Sequence, residues 1–218
     1  RAATKMALTA RDTPQSISVI TRQRMEDQQL DTLSDVLQNT TGITQENSGA
    51  NHSNYYSRGF KIDNYQIDSV PVLEDAVWNL GDTLSDTAIY DRVEVVRGAT
   101  GLMSGVGDPA ASVNMIRKQA DSKTFKGNLT SSYGSWGNQR YVADLSGPLS
   151  ENGRVRGRVV AGYHRSGRWP ADYHTLNTFF FGITSADLSN STPRSAGLAF
   201  DETHVLGAPL ARLPTFLL

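Results

Sequence analysis

The sequence predicts a small α+β module over about the first 120 residues, followed by a run of antiparallel β-strands. Three observations lead there. Short helical and extended patterns mix in the first part, without the repeated strand–helix–strand spacing of a doubly wound sheet. From about Phe125 the apolar period becomes two. No stretch approaches the roughly 18 apolar residues of a membrane-crossing helix, and the longest runs, 159–163 and 179–183, are short. A strand-built membrane domain stays open, because its strands need only about 9–11 alternating residues.

The elements follow in order. After the turn-forming Thr13-Pro14, Ile17 and Val19 alternate with polar residues and predict a strand. Leu33, Val36 and Leu37 fall at i, i+3 and i+4, which puts an apolar stripe on a short helix. Thr32 and Asp35 have capping-box spacing at its start, and Gly42 is its stop. Extended segments are expected at 55–60 and 65–72, then a short helix over 84–89 capped by Thr83 with Asp86. Val93, Val95 and Val96 make a strand, and 112–116 another.

In the second part Tyr141, Ala143 and Leu145 oppose Arg140, Asp144 and Ser146. Likewise Val155, Gly157, Val159, Ala161 and Tyr163 oppose Arg154, Arg156 and Arg158. One charged and one apolar face means that each strand has two different surroundings. Tight turns are expected at 135–138 and at 149–153, the latter with Asn152-Gly153, and a longer loop at 164–178. Extended runs at 179–186 and 196–200 bring the meander to about four or five strands. Such alternation fits a soluble antiparallel sheet as well as a membrane barrel. Tyr133, Trp136, Tyr141, Tyr163, Trp169 and Tyr173 lie near predicted strand ends, where a barrel carries aromatic girdles, and tip the reading toward the barrel.

Composition narrows the chemistry. Lys plus Arg number 21 against 22 Asp plus Glu, a net charge of -1, so nucleic acid is not an expected partner. Without cysteine there is no disulfide, thiolate zinc site, iron–sulfur cluster or cysteine nucleophile. The Gly-rich stretch 97–109 lacks the Lys-Ser/Thr of a phosphate loop, and its glycines read as close-packing and turn positions. Neither Ser104 nor Ser135 sits in a nucleophile-elbow frame. His52, His164, His174 and His204 have no compact metal spacing, and Asp63, Asp68, Asp82 and Asp86 do not form a calcium loop. No catalytic residue, metal site or intrinsic cofactor is expected.

Several segments, in order, then carry a resemblance. They are Thr13-Pro14-Gln15-Ser16-Ile17-Ser18-Val19-Ile20-Thr21, Leu33-Ser34-Asp35-Val36-Leu37 with Thr40-Thr41-Gly42-Ile43, and Tyr56-Ser57-Arg58-Gly59-Phe60. Ile67-Asp68 with Pro71 and Tyr90-Asp91-Arg92-Val93-Glu94-Val95-Val96-Arg97-Gly98 come next. Gly101-Leu102-Met103, Gly107-Asp108-Pro109 and Val113-Asn114-Met115-Ile116-Arg117-Lys118 close the series. Together they resemble the plug domain of a TonB-dependent outer-membrane receptor of the ferric-siderophore branch. The wording at 97–103, Trp78-Asn79-Leu80-Gly81-Asp82 and Tyr133-Gly134-Ser135-Trp136 is most similar to the ferric-coprogen and ferric-rhodotorulic-acid receptor group. Where many relatives carry Asp-Gly, this chain has Asp68-Ser69.

The resemblance implies an α+β plug over 1–121, seated in a barrel of about 22 antiparallel strands. Residues 122–218 would be the first strands of that transmembrane β-barrel, incomplete here, with 149–153 a periplasmic turn and 164–178 an extracellular loop. It implies residence in the outer membrane of a Gram-negative bacterium, with TonB, outer-membrane lipid and a ferric siderophore as partners. The task would be binding and importing a ferric hydroxamate-type siderophore, the iron complex being cargo. Such a ligand needs aromatic faces and a few donors, which points to Trp78 and Asn79, with Tyr55 and Tyr56 as neighbours. Arg58 either donates to the siderophore or joins Glu94 and Arg97 in a charge cluster where plug meets barrel wall, since buried charges must be paired.

Two other readings stand beside this one: a soluble β-rich binding or adhesion module, and a TonB-dependent receptor for haem or cobalamin or with a signalling role. No leader or TonB-pairing box is read around Arg1. Closing the barrel takes on the order of 400 residues at ~10 per strand plus loops. The 218 residues are therefore expected to be a piece that neither inserts as a pore nor transports iron by itself.

Overall fold

The computed structural model describes residues 16–47, 53–72, 86–98, 110–168, 173–186, 194–205 and 208–210. The chain divides into two compact units, the first running to Lys118 and the second from Gln119.

In the first unit β1 (Ser16–Thr21) leads straight into α1 (Arg22–Asp27). The Thr21 hydroxyl caps this helix by accepting from Arg24 N at 3.3 Å, and Arg22 reaches Glu26 one turn on at 2.7 Å. Only Met25 is buried, so the helix leaves no apolar periodicity to read. α2 (Leu33–Gln38) is the expected helix: Thr32 and Asp35 form the reciprocal capping box, and Leu33, Val36 and Leu37 are buried. β2 (Ile43–Asn47), β3 (Ser53–Ser57) and β4 (Phe60–Lys61) make a three-stranded antiparallel sheet. β5 (Asn64–Ile67), β6 (Val70–Val72), β7 (Tyr90–Arg97) and β8 (Ala111–Arg117) join β1 in a five-stranded sheet ordered β1-β7-β8-β5-β6. The β5–β8 pair is parallel and the others antiparallel.

Period-two patterning gives this sheet two unlike faces. Ile20, Val93, Met115 and Ile67 stand side by side in one register row, all buried. With α1 against β1 and β7, they form the core. In the next row, on the opposite face, Val19, Glu94, Asn114 and Gln66 are neighbours, and the three polar ones are buried.

Two local features differ from or refine the sequence reading. The helix expected over 84–89 is, in its described part, one 3-10 turn at Thr87–Ile89. Its cap is Asp86, whose carboxylate accepts from Ala88 N at 2.7 Å; Thr83 lies outside the described residues. Neighbouring backbone takes up the groups a longer helix would use: Thr87 N donates to Asp31 O at 3.0 Å, and Lys118 N to Ile89 O at 2.9 Å. The β5–β6 hairpin turns on Asp68 and Ser69, both at positive φ (50° and 68°), as a two-residue type I′ turn requires. A glycine would adopt Ser69's conformation without strain. The serine is held there by Asn114, which accepts from Ser69 N at 2.9 Å and donates to its hydroxyl at 3.3 Å. Asp68 accepts from Arg117 N at 2.9 Å and Arg117 Nε at 2.6 Å, tying the hairpin to β8.

The second unit is a single antiparallel meander in chain order. It comprises β9 (Lys126–Tyr133), β10 (Gln139–Pro148), β11 (Val155–Arg168), β12 (Tyr173–Ala186), β13 (Arg194–Val205) and β14 (Ala208–Leu210). Among the described residues its end strands β9 and β14 do not pair with each other. The turn after β9 is closed by Gly134 N donating to Asn138 O at 2.8 Å, and the turn after β10 by Leu149 N donating to Val155 O at 2.8 Å. The loop expected at 164–178 is mostly strand. β11 and β12 stay paired from His164 opposite Asn177 to Arg168 opposite Tyr173, leaving 169–172 between them. Ladder hydrogen bonds need no apolar alternation, so the strands run on past the point where the alternation stops. Leu129, Leu145, Val159 and Phe180 are exposed on one face, while Val142, Val160, Phe179 and Phe181 are buried on the other. On that buried face Arg158 holds Asp144 through two hydrogen bonds of 2.8 Å. Among the described residues no helix is long and apolar enough to cross a membrane.

Candidate functional site

Trp78 and Asn79, expected at the ligand, lie outside the described residues. Tyr55 and Tyr56 follow each other on β3 and point to opposite faces. Tyr56 is half-buried. Tyr55 is fully buried, and its hydroxyl lies 2.5 Å from Ser34 Oγ on α2. Its ring packs inside the first unit and its polar end is already partnered.

Arg58 sits at the tip of the β3–β4 hairpin with φ 54°, exposed, followed by Gly59 at 84°. Its Nη1 lies 3.6 Å from where a Cβ on Gly98 would stand, so Arg58 approaches the backbone just past Arg97. Arg97 donates to Thr41 O and, at 2.7 Å, to Ser16 Oγ, joining the start of β1 to the turn after α2. Glu94 does not join them. Three positions from Arg97 on a strand, it faces the other side of the sheet. There its Oε1 accepts from Arg92 Nε at 2.9 Å, with the Glu94 side chain 2% exposed and Arg92 26%. The expected cluster of Arg58, Glu94 and Arg97 is thus divided: Arg58 approaches Gly98, Arg97 reaches Thr41 and Ser16, and Glu94 pairs with Arg92. The parity of 92 and 94 on one strand was the available signal for that pair.

The polar face therefore carries a buried carboxylate in a row with Asn114 and Gln66, flanked by Ser112, whose hydroxyl lies 3.4 Å from Asn64 Oδ1. Among the described residues no group of acidic, histidine or cysteine side chains could hold a metal ion. This arrangement suits binding and packing. It contains no nucleophile with a base beside it.

Two tyrosines of the first unit resist ionisation. Burial pushes Tyr55 above the ordinary 10.0, offset in part by the Ser34 hydrogen bond. Burial pushes the wholly enclosed Tyr90 much further up, with Arg117 opposing and Asp68 and Asp86 reinforcing. A folded-state value above the unfolded one means that this contribution to stability is intact below pH 10 and lost as pH rises beyond it. In an alkaline titration followed by tyrosinate absorbance, Tyr55 and Tyr90 should ionise together with unfolding of the first unit, so that the eight tyrosines titrate in more than one step. Ionisation of all eight in one transition, with the fold intact, would contradict this.

A family model described as the TonB-dependent receptor plug domain matches residues 9–112. The ferripyoverdine receptor of Pseudomonas aeruginosa is 43% identical over 207 residues, covering 94% of this chain and 25% of that protein. The ferric-pyoverdine 358 receptor of Pseudomonas putida is 44% identical over 208 residues, covering 95% and 25%. Among solved structures, the alcaligin outer-membrane receptor FauA of Bordetella pertussis superposes with a TM-score of 0.83 at 42% identity, over 93% of this chain and 34% of that one. The chain spans about a quarter of the length of the curated relatives it matches.

Proposed function

The chain belongs to the TonB-dependent receptor family, and we propose that it supplies the plug (1–121) and the first barrel strands (122–218) of a receptor that imports a ferric siderophore. The fold is an α+β plug followed by antiparallel strands of an incomplete transmembrane β-barrel, a receptor of the Gram-negative outer membrane and not an enzyme. The observation that carries the ligand class is the 43% identity across nearly the whole chain with a receptor named for ferripyoverdine. The unlike faces of the two sheets agree with the plug-and-strand architecture: a polar buried row on the plug, and an apolar exposed face on the strands.

In this reading TonB supplies the energy, and the membrane lipid meets the face carrying Leu129, Leu145 and Phe180. Trp78 stacks on the organic shell of the siderophore, Asn79 donates to its oxygens, and Tyr56 flanks them. Arg58, held exposed on a tight hairpin, serves either the ligand or the Gly98 turn. The cargo is proposed to be hydroxamate-type. The names of the two Pseudomonas relatives make pyoverdine the first candidate to test, ahead of coprogen and rhodotorulic acid.

A complete receptor carrying these residues should restore growth under iron limitation with one or more ferric siderophores from a panel of pyoverdine, alcaligin, coprogen and rhodotorulic acid. Rescue by haem or cobalamin alone would reject the ligand class. In the same receptor Trp78→Ala should weaken siderophore binding by about 1–3 kcal/mol, the scale of one large apolar side chain lost from a contact. Unchanged affinity would assign Trp78 to packing.

A further inference from the structure

The exposed apolar face of the second unit is not smooth. Register sets Gly147 on β10 opposite Gly157 on β11, with Thr184 next on β12. Leu145 and Val159 form the neighbouring row on one side, and Leu149 and Val155 stand on the other. Large side chains lean over the glycines. A Cβ on Gly147 would meet Phe125 Cδ2 at 3.0 Å, and one on Gly157 would meet Leu149 Cδ1 at 2.9 Å. Between these walls lies a furrow of about 500 Å³, lined by Phe125, Leu145, Leu149, Val159 and Phe180 over the glycine floor. The walls are open to the outside, with Phe125 76% and Leu149 64% exposed. Arg158 borders the furrow, but its guanidinium is taken up by Asp144 and Gln119 O.

The depth of the furrow identifies its surroundings. On the same face Tyr133, Tyr141 and Tyr163 form an aromatic tier, with successive ring centroids 5.7 and 6.0 Å apart and the first two hydroxyls 2.5 Å apart. Such a tier marks a membrane–water interface. Along β11 the distance from Tyr163 to Gly157 is about 20 Å at ~3.3 Å per residue, or about 14 Å of depth for a strand tilted roughly 45°. That falls inside an apolar band of about 25 Å. The furrow is continuous with the lipid-facing surface and opens into hydrocarbon. A gap there forfeits dispersion contacts unless something apolar fills it.

We propose that the furrow seats one acyl chain of a membrane phospholipid, held as a resident lipid. The glycines let Phe125 and Leu149 settle against the backbone, and the methylene chain lies in the space that these two leave beside Leu145, Val159 and Phe180. The inference rests on the barrel-strand fold and is independent of which siderophore is carried.

The test uses a complete receptor carrying these residues, purified from membranes, exchanged through detergent and supplied with phosphatidylethanolamine, with retained phospholipid counted by mass spectrometry. One phospholipid per chain should survive washing. Gly157→Leu, which fills the floor, should lower retention at least tenfold while leaving siderophore binding unchanged. Leu149→Ala and Phe125→Ala, which strip exposed walls without touching the core, should lower it too. Equal retention by wild type and all three variants, no retained lipid in the wild type, or protection of the furrow by a second copy of the chain would overturn the proposal.

Discussion

Replacing Phe179 by Ala is expected to destabilise the strand unit by about 3–5 kcal/mol, the cost of emptying a buried aromatic site. Phe179 is 3% exposed, and register sets it opposite Gly162 on β11. Its ring covers that glycine so closely that a Cβ on Gly162 would overlap Phe179 Cζ and Cε1. The ring compensates for the side chain the glycine lacks, a device that keeps a cross-strand pair filled without a bulky partner. Gly162→Ala should therefore cost about 1–3 kcal/mol by overpacking when Phe179 is present. In the Phe179→Ala background the same methyl should cost little, because it enters the vacated space. Unfolding in detergent micelles, followed by near-ultraviolet circular dichroism, measures all four corners of the cycle. A Gly162→Ala penalty of equal size in both backgrounds would mean that the glycine serves only the backbone.

How much of this was legible in the sequence depended on whether an element faces two different environments. α2 was readable because Leu33, Val36 and Leu37 mark one face and Thr32 with Asp35 marks its start. β7, β8, β10 and most of β11 were readable for the same reason, their alternation separating two surroundings. α1 was silent because five of its six residues are polar and its ties are local: the Thr21 cap and the Arg22–Glu26 pair. The outer parts of β11 and β12 were silent because ladder bonds alone hold them there. The 3-10 form of Thr87–Ile89 is not legible in the sequence, because its backbone is tied to Asp31 and Lys118, distant in sequence. The candidate site was legible as a family motif but not as geometry. Glu94 and Arg97 look like members of one charged motif, yet strand parity separates them. Tyr55 looks like a ligand-facing aromatic beside Tyr56, yet alternation on β3 turns it inward onto Ser34.

The division of that charged motif leads to the other large expected effect. Arg92→Ala should destabilise the first unit by about 3–5 kcal/mol, because it leaves the buried Glu94 carboxylate without its countercharge. Arg97→Ala, which removes hydrogen bonds to Ser16 and Thr41 at the exposed edge of the unit, should cost only about 1–2 kcal/mol. The order follows from burial: the Glu94 side chain is 2% exposed, and among the described residues Arg92 is its ion-pair partner. Its other oxygen, Oε2, finds no hydrogen bond among the described residues, so nothing there takes over when Arg92 is lost. Replacing the pair together, Arg92→Met with Glu94→Leu, should recover most of the loss, since two apolar groups leave no buried charge behind. Amide hydrogen exchange in β7 and β8 reads the effect locally, and thermal unfolding reads it for the unit. If Arg92→Ala proves no worse than Arg97→Ala, the countercharge of Glu94 comes from outside this chain. The polar row of Glu94, Asn114 and Gln66 would then be one side of a contact with other parts of the receptor.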